Sequence, residues 1–390
     1  MESRPAETAH VRALATVSGP SEGARAPAIP EAVAARIAGA VQLSRSAGTR
    51  RAYAAGWSRF TEWCTRHGHV ALPAHPVTVA AYLVDAADTV SAVGEKAYAA
   101  STLSSWVAAI NHYHRTAGHP QPSAHELVAA TLAGMRRDYA TAGDRPRTQR
   151  APLLVSDIRR LVDTARHQCN GWADDVLERR DNALLLLGFA GAFRRSELAA
   201  LECRDVTLHR EDGLHIRLRK TKTDQEGRGV VRALPTTDSH TTCPPCAYVR
   251  WVQVVSAFDA GGRSSVIRLL RGRAPFRDHV CRGGVPRTTA RAPLFRAIAK
   301  NGNLSTTPIS GAAIHKTIRR RAERAGYDST LVAQFGGHSL RSGFVTQAFR
   351  NGADAHAIMR QTGHTTPAML ERYARENAPL IGNAVNDIGL

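Results

Sequence analysis

Apolar residues recur at three- and four-residue spacing in two long blocks of this chain, separated by the proline-bearing basic stretch Asp144 to Pro152. That period puts apolar side chains on one face of a helix, so both blocks must fold largely as packed helices. In the first block Tyr53, Trp57, Phe60 and Cys64 make one stripe and predict a helix over roughly 47–67. Val77 to Ala87 predicts a shorter one. Leu103, Trp106, Val107, Ile110 and Tyr113 predict another, ended by Gly118 and Pro120. Leu127, Thr131, Leu132 and Met135 predict a fourth.

The second block is mixed. Leu184 to Leu187 reads as a buried helix running into Gly191. Leu214, Ile216 and Leu218 alternate with polar residues, and Val230, Ala233 and Pro235 follow a turn-like stretch, which predicts a β-hairpin. Ile314, Ile318 and Ala322 define a helix whose other side bears Lys316, Arg319, Arg320 and Arg321. The expected fold is mainly α: an all-helical N-terminal domain at 30–143, a linker at 144–152, and a mixed, mainly helical domain with a small β-sheet at 153–390. Residues 1–29 hold too few large apolar groups to offset ordering entropy and are expected to form a disordered tail.

Charge narrows the partners. A net charge of +19 and a pI near 10.6 attract polyanions, duplex DNA foremost. Arg50, Arg51, Arg59, Arg115, Lys316, Arg319 and Arg320 are candidate phosphate contacts. Only Lys96, Lys220, Lys222, Lys300 and Lys316 among the 52 basic residues are lysines, so the Lys220–Lys222 pair stands out. No apolar run approaches the ~18 residues of a membrane span, and no signal pattern opens the chain. Six scattered cysteines do not form a disulfide framework and suit a reducing compartment, so the cytoplasm is the expected setting. His240, Cys243 and Cys246 have metal-ligand spacing, but no second pair follows at zinc-module distance and Cys281 stands apart, so no metal site is expected.

Four clusters carry chemistry: Arg194-Arg195-Ser196-Glu197, Lys222, His338 with Arg341, and Gly363-His364 followed by Tyr373. Guanidiniums match phosphate oxygens with forked donors, a phenol can attack phosphorus, and an imidazole or ammonium can move protons. That set suits phosphodiester cleavage by a tyrosine nucleophile.

In order and context these residues resemble the tyrosine recombinases, the integrase family. Gly-x-x-Arg-x-Ser-Glu-Leu surrounds Arg194, Thr-Lys-Thr surrounds Lys222, His-x-x-Arg joins His338 to Arg341, and Gly-His precedes Tyr373 at the family interval. The resemblance implies a DNA breaking-rejoining fold with Arg194 and Arg341 as phosphate clamps and Lys222 as acid for the leaving 5′ oxygen. It further implies His338 as proton carrier, His364 as phosphate-oxygen donor and Tyr373 as nucleophile, with Glu197 in support. Spacing alone leaves Lys220 open beside Lys222. Further implications are recombination at a specific DNA site through a 3′-phosphotyrosyl intermediate, no metal or ATP cofactor, tetramers on DNA, and a C-terminal tail that docks on a neighbouring subunit. Two alternatives are a type IB topoisomerase and a non-catalytic DNA-binding factor on the same scaffold.

Overall fold

A computed structural model of the chain describes residues 29–92, 94–143, 150–219, 221, 229–272, 276–370 and 373. Nearly all of the expected N-terminal tail, most of the linker, Lys220, Lys222 and the tail after Tyr373 lie outside the described residues. The chain divides into two compact units, Met1–Thr148 and Gln149–Leu390.

Among its described residues the first unit is mainly helical: α1 (Glu31–Leu43), α2 (Ala47–Arg66), α3 (Pro76–Asp88), α4 (Ala100–Thr116) and α5 (Glu126–Thr141). Ser46 caps α2 by accepting from the Thr49 amide, and Pro76 opens α3 where its missing N–H costs nothing. Phe60, Trp63, Tyr82, Leu83, Leu103, Ile110 and Val128 form its core. His114 is buried there, with Nε2 accepting from the Ala74 amide at 2.8 Å and Nδ1 donating to the Ile110 carbonyl at 2.8 Å. Both ring nitrogens are thereby satisfied in the neutral form, and burial lowers the His114 pKa.

The second unit is built around two helices, α7 (Trp172–Ala190) and α9 (Pro244–Arg271), the latter broken at Gly261 and Gly262. Helices α6 (Val155–His167), α8 (Arg195–Ala200), α10 (Gly311–Arg324), α11 (Ser329–Gln334), α12 (Ser339–Arg350) and α13 (Ala355–Thr362) complete the helical set among the described residues. The expected hairpin is present as β2 (Gly213–Leu218) and β3 (Val230–Leu234), antiparallel, with Leu214 opposite Leu234 and Leu218 opposite Val230. A third strand, β1 (Val206–His209), joins β2, and β4 (Arg296–Ile298) pairs with β5 (Leu304–Pro308) in a second sheet. β1 and β4 are too short for a two-residue alternation to show in sequence, and burial along β5 does not alternate.

Charge is buried inside this unit. Asp181, fully buried on α7, accepts from Arg180, Arg320 and Arg321. Burial alone would raise its pKa, but the three guanidiniums overcome that and hold it below the usual carboxylate range. Arg321 is therefore interior, not part of a solvent face as the helical pattern predicts. Arg319 donates to the Phe335 and Ala333 carbonyls, while Lys316 stays exposed. On the first unit Arg50, Arg51, Arg59 and Arg115 are exposed, and Arg59 also stacks over Trp106 and donates to the Tyr98 hydroxyl.

Candidate active site

Helix α7 ends at Gly191, and the chain turns through Ala192, a non-glycine residue at φ 46°. That left-handed step is sterically costly for an L-residue. It aims the Ala192 carbonyl at Arg341, which donates to it through Nη1 at 2.8 Å. Two residues later Arg194 sits at the N-cap of α8. Glu197, at the third helical position, accepts from the Arg194 amide at 2.8 Å and from its Nη1 at 2.7 Å. A capping carboxylate thus fixes both ends of the arginine that the motif singles out.

His338 and Arg341 come from the start of α12. That helix lies close to its neighbours because Gly343 leaves room for the Leu153 carbonyl, and Gly188 on α7 leaves room for Leu340; a Cβ at Gly343 would overlap the Leu153 oxygen. Arg341 is 1% exposed. Its Nη1 also donates to the Thr362 carbonyl at 2.6 Å and its Nη2 to His364 Nε2 at 3.0 Å. Burial, then the Arg194 and Arg232 charges, push the Arg341 pKa down to about 10, which leaves it protonated at neutral pH.

His364 is placed by Gly363, which ends α13 in the left-handed conformation at φ 67°. Since Nε2 accepts a hydrogen bond from Arg341, Nδ1 carries the ring hydrogen and donates to Thr362 Oγ1 at 2.9 Å. Burial, followed by Arg341 and Arg194, lowers the His364 pKa to about 3, so the ring is neutral. In this arrangement His364 braces Arg341. A donor role toward a phosphate oxygen, as the family resemblance implies, would require that Nε2 contact to break.

Tyr373 completes the group. It is buried against Val345, Ile358 and Leu370, and its hydroxyl lies 2.9 Å from His338 Nε2. Its ring also packs near the His364 ring, with centroids 5.9 Å apart. The chain therefore brings Arg194, Glu197, His338, Arg341, His364 and Tyr373 together within one unit, and Lys222 lies outside the described residues.

The motifs do not reveal Arg232. It points inward from β3, 2% exposed, donating to the Gly191 carbonyl at 2.7 Å and the Thr362 carbonyl at 3.2 Å. It also approaches Glu197 at 3.4 Å and lies over the Phe193 ring. Its signal in the sequence was its phase: Arg232 and Leu234 face the core, whereas Val230, Val231 and Ala233 are exposed. Arg194 and Arg232 thus flank the Glu197 carboxylate, whose charge also reaches Arg341, and the surplus positive charge suits a bound phosphate.

Comparison with known proteins shows which family the chain belongs to. The integrase/recombinase xerD homolog of Selenomonas ruminantium is 30% identical over 349 residues, spanning 89% of this chain and 86% of the relative. The chain belongs to the tyrosine recombinases. Residues 296–379 match the Phage integrase family, a stretch that includes the His338–Arg341 and His364–Tyr373 pairs. The Cre recombinase of Escherichia phage P1 is 23% identical over 319 residues, covering 80% of this tyrosine recombinase and 79% of its own length. The crystal structure of a XerA recombinase aligns over 91% of this chain and 96% of its own, at 16% identity and a TM-score of 0.38.

Proposed function

We propose that this protein is a site-specific DNA recombinase that cuts and rejoins duplex DNA through a 3′-phosphotyrosyl bond to Tyr373. The observation that carries this reading is the 2.9 Å contact between the Tyr373 hydroxyl and His338 Nε2, beside the Arg194–Arg232–Arg341 cluster. Tyr373 Oη attacks the scissile phosphorus and its proton passes to His338. The bond to the 5′ oxygen breaks, and that oxygen takes a proton from Lys222. Arg194 and Arg341 hold the non-bridging oxygens as charge builds on them. Arg194 keeps 18% side-chain exposure and remains reachable, while Glu197 holds one of its edges. Arg341, bound to two carbonyls and His364, is preset and loses little freedom on meeting the phosphate. A 5′ hydroxyl from a partner duplex then attacks the phosphotyrosyl bond and frees the phenol. The covalent intermediate conserves the phosphodiester energy, so rejoining needs no external energy source.

This reading includes a specific DNA site, a tetramer assembled on paired sites and a cytoplasmic setting. No helix among the described residues is long and apolar enough to cross a membrane. The test uses nicked suicide duplexes drawn from DNA flanking the gene, which trap the covalent complex by losing the 5′ hydroxyl. Wild-type protein should give an adduct that survives denaturant, and Tyr373→Phe should give none while still binding the same DNA. An adduct of undiminished yield in Tyr373→Phe would refute the assignment.

A further inference from the structure

The sequence groups His240 with Cys243 and Cys246, but the fold does not. His240 turns away and donates through Nε2 to the Phe276 carbonyl at 3.2 Å. Instead, the chain after α9 returns to the start of that helix and brings His279 and Cys281 beside the two cysteines. Cys243 is the N-cap of α9 and Cys246 lies in its first turn. Cys281 sits in a short 3₁₀ turn, Val280–Arg282, with His279 just before it. The four ligand atoms all lie within 4.8 Å of one another.

From this geometry we infer that Cys243, Cys246, His279 and Cys281 bind one structural zinc ion. The Cys243 and Cys281 sulfurs are 4.0 Å apart, and His279 Nδ1 lies 3.4 Å from Cys246 Sγ and 3.8 Å from Cys281 Sγ. A tetrahedral zinc with ordinary bond lengths separates sulfurs by about 3.8 Å and sulfur from nitrogen by about 3.6 Å. The observed spacing needs only small shifts to match. His279 is also set in the ligating tautomer, because its Nε2 donates to the Asp238 carbonyl at 3.2 Å and leaves the Nδ1 lone pair facing the sulfurs. All three thiols are buried. Zinc binding would release their protons to solvent, and the positive end of α9 would favour the resulting thiolates. With four protein ligands the site is closed, so its role is to pin the start of α9 to the segment that follows that helix. A disulfide would use only two of the sulfurs and leave the imidazole and third thiol without a role.

The test uses the untagged full-length chain, produced with added zinc under reducing conditions, with metal content measured by mass spectrometry. One zinc per chain is expected, and exchange for cobalt should give the visible absorption of a tetrahedral thiolate centre. Cys281→Ser and His279→Gln should reduce zinc to trace levels and lower the melting temperature, whereas His279→Cys should retain it. His240→Gln should leave the stoichiometry unchanged. Because the wild-type measurement does not depend on any variant folding, trace zinc and no cobalt spectrum in the folded protein overturn the inference. So does a Cys243–Cys281 disulfide in the protein as isolated, or zinc that is lost with His240 and kept with His279→Gln.

Discussion

Arg232 shows how much a single side chain can do when it is buried with all its partners fixed. Its donors satisfy the Gly191 and Thr362 carbonyls, and its charge lies beside Glu197, which in turn holds Arg194. Arg232→Leu leaves the Gly191 carbonyl unpaired, while Arg341 still donates to that of Thr362, and should destabilise the protein by about 1–3 kcal/mol, read by urea unfolding. Arg232→Lys keeps the charge but cannot span both carbonyls, so DNA cleavage should fall even where binding persists. In the proposed mechanism Arg341 clamps the reacting phosphate, so Arg341→Ala should slow adduct formation by ~10²-fold or more, about 3 kcal/mol in single-turnover assays. His364 makes a pH prediction. Its folded pKa is depressed to about 3 from an ordinary 6.5, so between those values the unfolded chain takes up a proton that the folded chain refuses. Its contribution is complete above pH 6.5 and is lost as the pH falls toward 3. Replacing His364 with Asn should flatten the pH dependence of unfolding free energy in that window.

At the scale of elements, the site depends on how closely α12 approaches α7 and on the turn that ends α7. Gly343→Ala would force the Leu153 carbonyl away from α12 and displace Arg341 with it, so both stability and cleavage should fall. Ala192→Gly tests the opposite effect. Relief of the left-handed strain should outweigh the added freedom of the unfolded chain, leaving stability unchanged or raised by up to about 1 kcal/mol with cleavage intact. The link between α7 and α10 is ionic. Asp181→Asn leaves Arg180, Arg320 and Arg321 without their shared carboxylate in the interior and should cost about 3–5 kcal/mol by equilibrium unfolding.

For the whole molecule, core clusters confined to single units and a large positive charge set the behaviour. Each core cluster draws its buried residues from one unit only, so a fragment spanning 149–390 should fold alone with one cooperative transition by calorimetry. DNA affinity should fall steeply with salt, by about 10³–10⁵ between 50 and 200 mM if roughly 6–10 phosphates are contacted. Much of this was legible beforehand. Helical stripes such as Phe60–Cys64 and Ile314–Ala322 declare themselves because burial imposes a period on sequence, and the Arg194, His338–Arg341 and His364–Tyr373 motifs are short enough to be read locally. Residues whose roles arise from contacts between distant segments leave no such period. Arg232 belonged to no motif, Arg321 looked like part of a basic face, and Cys281 like a stray thiol. Folding alone put the first against Glu197, the second on Asp181 and the third beside His279. Local order follows from hydrophobic periodicity along the chain, whereas the pairing of buried charges and ligands is decided only when segments far apart in sequence leave water together.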